Sequence, residues 1–211
     1  MATYYDQNYR HWLPQDREAP ILDIGCGQGD FVRYAYSLGY RNITAIDRDL
    51  AAVQALEGLE GVTTLKVDIG DELPPMVKGP WAVIVAKQMI YYLDRRQAPA
   101  LLRSLSSALV LDGRLIIEIF NGATLSSRFT EAKDPAILTA YTDLGLKRLL
   151  EGAGFQVESL KGVVTPASIF YRIAQSTWWS LYRLLLILDR GRDDELPRFW
   201  SKSIIAVARR A

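Results

Sequence analysis

Hydrophobic and polar positions alternate along this chain in blocks that change period. Short apolar runs with the length of buried strands fall at 21–24, 43–46, 62–67, 81–86 and 114–120. Stretches with the spacing of amphipathic helices lie between them. The first helix, 30–38, stops at Gly39, a natural residue just past a helix end. Asp49 is placed to cap a second helix through Leu59, and Asp94 to start a third through Val110. The run 81–86 is almost continuously apolar, as a strand buried on both faces requires. A turn rich in Pro74, Pro75, Gly79 and Pro80 precedes it, and Leu111-Asp112-Gly113 is the turn before 114–120. Alternation of this kind predicts an α/β architecture, a doubly wound parallel sheet with helices on both faces.

The second half is less regular. Residues 121–141 form a long polar connection without periodicity, and loops of that length in compact domains are usually functional. Thr142 caps a helix carrying Leu144, Leu146, Leu149 and Leu150, which ends between Gly152 and Gly154. A strand at 155–160, an aromatic apolar helix at 174–188 and a last strand at 203–208 follow. The last two strands flank an inserted helix, so one antiparallel strand is expected at an edge of the sheet. Apolar residues nearly encircle the inserted helix, which predicts burial against the sheet or against a second copy in a homodimer. Arg183, Arg190 and Arg192 support the alternative, a membrane-surface helix acting on a lipid-linked substrate.

Composition narrows the class. With 211 residues, 49% of them hydrophobic, the chain is long enough for one sizeable core, and a single domain over 1–211 is expected. The formal net charge of +1 gives no basic field, so nucleic acid is not expected as a partner. Cys26 is the single cysteine, which allows no intrachain disulfide and fits a reducing compartment. The first residues lack the basic and apolar regions of a signal peptide, and no apolar run approaches the roughly 20 residues that span a bilayer. The expectation is a soluble cytoplasmic protein without stable membrane insertion. No metal ligand set is assigned.

The candidate chemistry begins at Ile21-Leu22-Asp23-Ile24-Gly25-Cys26-Gly27-Gln28-Gly29-Asp30, a strand that runs straight into a glycine-rich turn. Glycine tolerates positive φ and has no Cβ to collide with a ligand. Asp47 ends the next apolar run, roughly 20 residues past the turn, as a ribose-binding acid does. Strand, glycine turn, helix, strand and acid together hold a nucleotide-like cofactor. The glycines follow Gly-x-Gly-x-Gly, not the dinucleotide spacing Gly-x-Gly-x-x-Gly. Asp30 also stands where a pyrophosphate would approach the helix, and its carboxylate would repel it. A cofactor with a cationic end and no phosphate fits better. S-adenosylmethionine, with its sulfonium, ammonium and carboxylate, is such a molecule.

On these residues the chain resembles the class I S-adenosylmethionine-dependent methyltransferases, and the likeness runs through most of its length. It implies a Rossmann-like, seven-stranded, mostly parallel sheet. Residues 21–30 resemble the family's first motif, in which Gly25, Gly27 and Gly29 pass under the methionyl part of the cofactor and Asp23 orders the loop and the amino group. Asp47 falls at the acid that binds both ribose hydroxyls, and Asp68-Ile69 where an acid and a backbone amide meet the adenine. Residues 86–93 occupy the motif that floors the active site, while 111–117 and 149–155 resemble the family's later landmarks. Arg48, beside Asp47, and Lys87, within the floor motif, are counted with the cofactor residues. Residues 1–14 are read as a lid, and 121–141 and 163–202 as a substrate-side loop and helical insertion. Cys26 is read as a small filler of the turn, since nothing near it activates a thiolate.

Methyl transfer requires alignment of acceptor, methyl and sulfur, exclusion of water and, for a neutral hydroxyl, a base. His11 is the only histidine and a candidate base, since its ordinary pKa lies near neutrality. Related sequences commonly carry Glu-His after the fourth strand, where this chain has Tyr91-Tyr92. Tyr92 is therefore a candidate to orient a substrate hydroxyl or to wall the site. The stretches 120–123, 142–146 and 178–183 resemble a bacterial subgroup often associated with polysaccharide biosynthesis. That subgroup often has Asp-x-x-His after the fifth strand; here the residues are Asp134-Pro135-Ala136-Ile137, which makes Asp134 the alternate base. The resemblance implies O-methylation of a hydroxyl on a small-molecule or glycan acceptor. N-methylation, a natural-product acceptor, and a non-catalytic S-adenosylmethionine-binding regulator are the alternatives.

Overall fold

The computed structural model describes residues 2–165, 169–190 and 196–211. Its strands are β1 (Ile21–Ile24), β2 (Ile43–Asp47), β3 (Val62–Lys66), β4 (Trp81–Lys87), β5 (Leu109–Phe120), β6 (Phe155–Gly162) and β7 (Ser203–Arg210). The helices are α1 (Ala2–Asn8), α2 (Asp30–Ser37), α3 (Leu50–Gln54), α4 (Gln97–Ala108), α5 (Ser127–Lys133), α6 (Asp143–Gly152) and α7 (Ile169–Arg190). The seven strands form one sheet in the order β3-β2-β1-β4-β5-β7-β6. Pairing is parallel from β3 through β5, whereas β7 is antiparallel to both β5 and β6. The one reversed strand thus lies second from the edge, slotted between β5 and β6.

Successive strand residues point to opposite faces and meet different helices. On one face Leu22, Ile24, Ile84, Ala86, Leu115 and Ile117 pack with Leu101, Leu102, Leu105, Leu146 and Leu150 of α4 and α6. On the other, Ile21, Ile43, Val83, Val85 and Ile116 pack with Phe31, Val32 and Ala35 of α2 and with Tyr5 and Tyr9 at the N-terminus. Both faces of the central strands are apolar because both are covered.

Several boundaries move. The helix predicted through Leu59 is only Leu50–Gln54, capped as expected by the Asp49 side chain, which accepts from Ala51 N. Strand β5 starts at Leu109, which pairs with Trp81; the register then shifts, and Val83 pairs with Arg114. The long connection contains α5. Burial of α7 against the sheet is not found: Ile173, Trp178, Leu181, Leu184, Leu185 and Leu188 are each about half exposed or more, and Leu188 reaches 73%. Trp179 stacks on Trp200 and Tyr182 meets it edge-on, so an aromatic cluster holds α7 by one side. Arg192 lies outside the described residues.

Candidate active site

A cavity of about 580 Å³ opens at the C-terminal ends of β1, β2 and β4. Gly25, Gly27 and Gly29 all have left-handed φ, at 69°, 51° and 75°, which only glycine adopts without strain. Their reasons for being glycine differ. A Cβ on Gly25 would sit 3.0 Å from Met89 Cβ, a close approach of the turn to the loop after β4. A Cβ on Gly29 would lie 2.3 Å from Leu56 Cδ2, so this residue serves packing and does not line the cavity. A Cβ on Gly27 would meet nothing within 4 Å; that side of the turn is left open toward the cavity. The turn is fastened to β2, because Gly25 N and Cys26 N both donate to Ile46 O.

Asp47 sits at the end of β2 with one carboxylate oxygen accepting from Gly27 N at 2.8 Å and the other from Asp49 N at 2.9 Å. Two amides fix its orientation, and each oxygen keeps lone-pair capacity for a further donor. Asp68 and Ile69 line the same cavity after β3, and Arg48 lines it beside Asp47. The strands bring these residues together because β3, β2 and β1 are adjacent and in parallel register.

Asp23 is buried beneath the turn at 2% exposure. Burial pushes its carboxyl up to about 7, Lys87 opposes that rise and Asp47 adds to it. The group is thus poised to take or release a proton near neutrality and to receive a cation. Cys26 is buried too, and burial pushes its thiol up to about 12, which keeps it an inert filler.

Three residues that the sequence did not single out complete the site, two of them, Tyr5 and Gln88, within the predicted lid and floor segments. Tyr5 of α1 lines the cavity, is buried at 1% exposure, and its hydroxyl has no hydrogen-bond partner among the described residues. A buried unpaired hydroxyl is unfavourable by about 1–3 kcal/mol, which a bound polar ligand relieves. Glu118 of β5 is buried at 2% exposure and accepts from Tyr4 Oη at 2.6 Å, Tyr9 Oη at 2.5 Å and Gln88 Nε2 at 3.0 Å. This carboxylate pins the N-terminal segment and the loop after β4 to the sheet. Gln88 lines the cavity with φ at 56°, held by Gln88 N donating to Glu118 O at 2.7 Å and by Nε2 donating to Ser203 Oγ. The signal for Glu118 was legible: an acid inside a strand buried on both faces needs donors there.

Of the candidate bases, Tyr92 lines the cavity and donates from Oη to Asp134 Oδ2 at 2.9 Å, across 42 residues of sequence. Burial raises the Tyr92 phenol above its ordinary value, and the bond to Asp134 adds to this, so it stays a proton donor. The partner loop is fastened by Leu138 N and Thr139 N, which donate to Tyr91 O. Asp134 itself stands behind Tyr92, outside the cavity lining. His11 is placed elsewhere: it is exposed on the 3-10 turn Arg10–Trp12, edge-on to Trp12 at 5.0 Å, and does not line the cavity.

This constellation fits S-adenosylmethionine. An orphaned donor and a buried carboxyl stand beside the turn, an open glycine faces the cavity, and an amide-fixed acid closes the second strand. The family described as a methyltransferase domain matches residues 1–160, and the chain belongs to that family. It is an S-adenosylmethionine-dependent enzyme, a methyltransferase. Similar solved structures include an S-adenosylmethionine-dependent methyltransferase from Mesorhizobium loti, 18% identical, with a TM-score of 0.69 over 100% of this chain and 98% of that one. The 1,6-didemethyltoxoflavin-N1-methyltransferase of Burkholderia thailandensis, solved with S-adenosylhomocysteine, is 18% identical with a TM-score of 0.61 over 92% of this chain and 72% of that one. Mitomycin 7-O-methyltransferase is 18% identical with a TM-score of 0.67, over 100% of this chain and 54% of that one. At these identities the likeness is one of fold. No curated protein matches the sequence.

Proposed function

We propose that this methyltransferase O-methylates a hydroxyl of a sugar or another small molecule, and that Tyr92 and Asp134 move the acceptor's proton. The observation that carries the reading is the 2.9 Å bond from Tyr92 Oη to Asp134 Oδ2 at the cavity wall. Asp47 holds the ribose hydroxyls, Asp68 and the Ile69 amide hold the adenine, and Asp23, Lys87 and Tyr5 hold the methionyl end. When bound, S-adenosylmethionine supplies an electrophilic methyl on its sulfonium. A phenol that gives its proton to a carboxylate keeps lone pairs free, so Tyr92 Oη accepts the hydrogen bond of an acceptor hydroxyl. As the acceptor oxygen gains its methyl bond, its proton passes to Tyr92 Oη and the phenol's own proton passes to Asp134. The high Tyr92 pKa supports relay rather than storage of charge on the phenol. Gln88, fixed in its left-handed conformation by Glu118, is the second polar group available to orient the acceptor. The likeness of 120–123, 142–146 and 178–183 to a polysaccharide-associated subgroup supports a glycan acceptor.

The test is turnover of methyl-labelled S-adenosylmethionine against a panel of sugars, phenols and amines. With a hydroxyl acceptor, Tyr92→Phe and Asp134→Asn each lower turnover by about 100-fold while the affinity for S-adenosylhomocysteine stays within about twofold. An amine acceptor whose methylation ignores both changes would replace the O-transfer reading. Tight cofactor binding with no acceptor in any class would favour the regulator.

A further inference from the structure

The exposed apolar surface of this protein is concentrated in one region. Among the described residues, the large hydrophobics that stand exposed outside 121–202 are only Leu50, Met76 and Leu111. The rest lie in the two substrate-side segments, and α7 carries six of them: Ile173, Trp178, Leu181, Leu184, Leu185 and Leu188. On a helix of 3.6 residues per turn, Ile173, Leu181, Leu184 and Leu188 point directly away from Trp179 and Tyr182, the side held against Trp200. Leu185 and Trp178 widen that face on one flank. The face is broader than the two-position seam that a single partner helix covers.

Charge is sorted along the same stretch. The whole chain is nearly balanced, with 25 basic and 24 acidic side chains, whereas α7 carries Arg172, Arg183 and Arg190 against one acid, Asp189, in its last turn. An apolar face with leucine and tryptophan on a helix with an excess of basic residues is the pattern of a helix that lies in the plane of an anionic membrane surface. No helix among the described residues is long and apolar enough to cross a membrane.

We propose that α7 docks this protein on an anionic lipid surface, apolar face inward to the acyl boundary. The insertion leaves β6 after Gly162 and returns at Ser203, which pairs with Phe120 at the C-terminal edge of β5, the edge on which the cavity opens. The docking helix thus belongs to an insertion that springs from the edge on which the cavity opens. If the O-transfer reading holds, the acceptor is an amphiphile, a hydroxyl-bearing headgroup on a lipid anchor.

Flotation of the full-length chain with vesicles tests the docking without any methyl transfer, so its failure leaves the reading of the active site standing. The protein floats with vesicles of phosphatidylglycerol and phosphatidylcholine, and far less with phosphatidylcholine alone. The double variant Leu184→Glu, Leu188→Glu loses at least about tenfold in vesicle affinity, and Met76→Glu loses none. Both variants keep S-adenosylhomocysteine affinity and the thermal midpoint, since all three positions are exposed. Absence of flotation, flotation unaffected by the double variant, or a dimer in sedimentation that the double variant converts to monomer would each overturn the proposal.

Discussion

The two ends of the site are built by different means. The end proposed to hold the cofactor comes from consecutive strand–turn units: β1 with its glycine turn, β2 with Asp47, and the segment after β3 with Asp68 and Ile69. Its groups are fixed by backbone amides of the same few residues, as in the bonds from Gly27 N and Asp49 N to Asp47. The end proposed for the acceptor comes from segments far apart in the chain. Tyr92 meets Asp134 across 42 residues, and Glu118 meets Tyr4 across 114. Its outer surface is loop and exposed helix, with Phe129 at 73% and Leu138 at 58% exposure. The end proposed for the cofactor is rigid local geometry, whereas the end proposed for the acceptor is long-range contacts and insertions, which change without disturbing the sheet.

That contrast is exposed to measurement. The largest effect is expected at Asp23. Its carboxyl is raised by burial to about 7, so the native state holds a proton that the unfolded chain releases at ordinary carboxylate pH. The stability this gives the cofactor-free protein is fully present below about pH 4 and is lost as pH rises through about 7. Asp23→Asn removes that loss and stabilises the free protein at pH 8 by up to roughly 4 kcal/mol, read by urea unfolding at several pH values. It weakens cofactor binding at the same time. A pH profile identical to the parent's would place the carboxyl outside this role.

Asp47→Ala comes next. It removes the proposed ribose acceptor and leaves two amides without a partner, and calorimetry should show the S-adenosylhomocysteine affinity fall about 100-fold, or roughly 2.7 kcal/mol. Unchanged affinity would take Asp47 out of the site. A paired substitution then compares the two ends directly. Gly29→Ala forces a Cβ into buried Leu56 at positive φ and destabilises by about 2 kcal/mol. Phe129→Ser, on the exposed acceptor side, changes stability by less than about 0.5 kcal/mol. Equal losses would erase the distinction between the ends. An effect smaller than that of Gly29→Ala is expected at Tyr5. Tyr5→Phe removes a buried hydroxyl that lacks a partner, so the free protein gains about 1 kcal/mol while cofactor affinity drops severalfold. A loss of stability instead would mean that the hydroxyl is satisfied in the free protein.

The sequence by itself determined the alternating architecture, the glycine turn and the acids at the ends of the first three strands. These were legible because a strand, a tight turn and a helix cap are each encoded within a few residues. It also carried the candidates Tyr92 and Asp134, but as separate residues. Only the tertiary structure decided that they touch, that His11 stands away from the cavity, and that Gly29 is glycine for Leu56 while Gly27 leaves space toward the cavity. It alone set β7 between β5 and β6, and it alone showed that the apolar face of α7 is not covered by the sheet. The physical reason is that hydrophobic patterning specifies that a face is to be covered. What covers it depends on which elements lie within reach once the chain has folded.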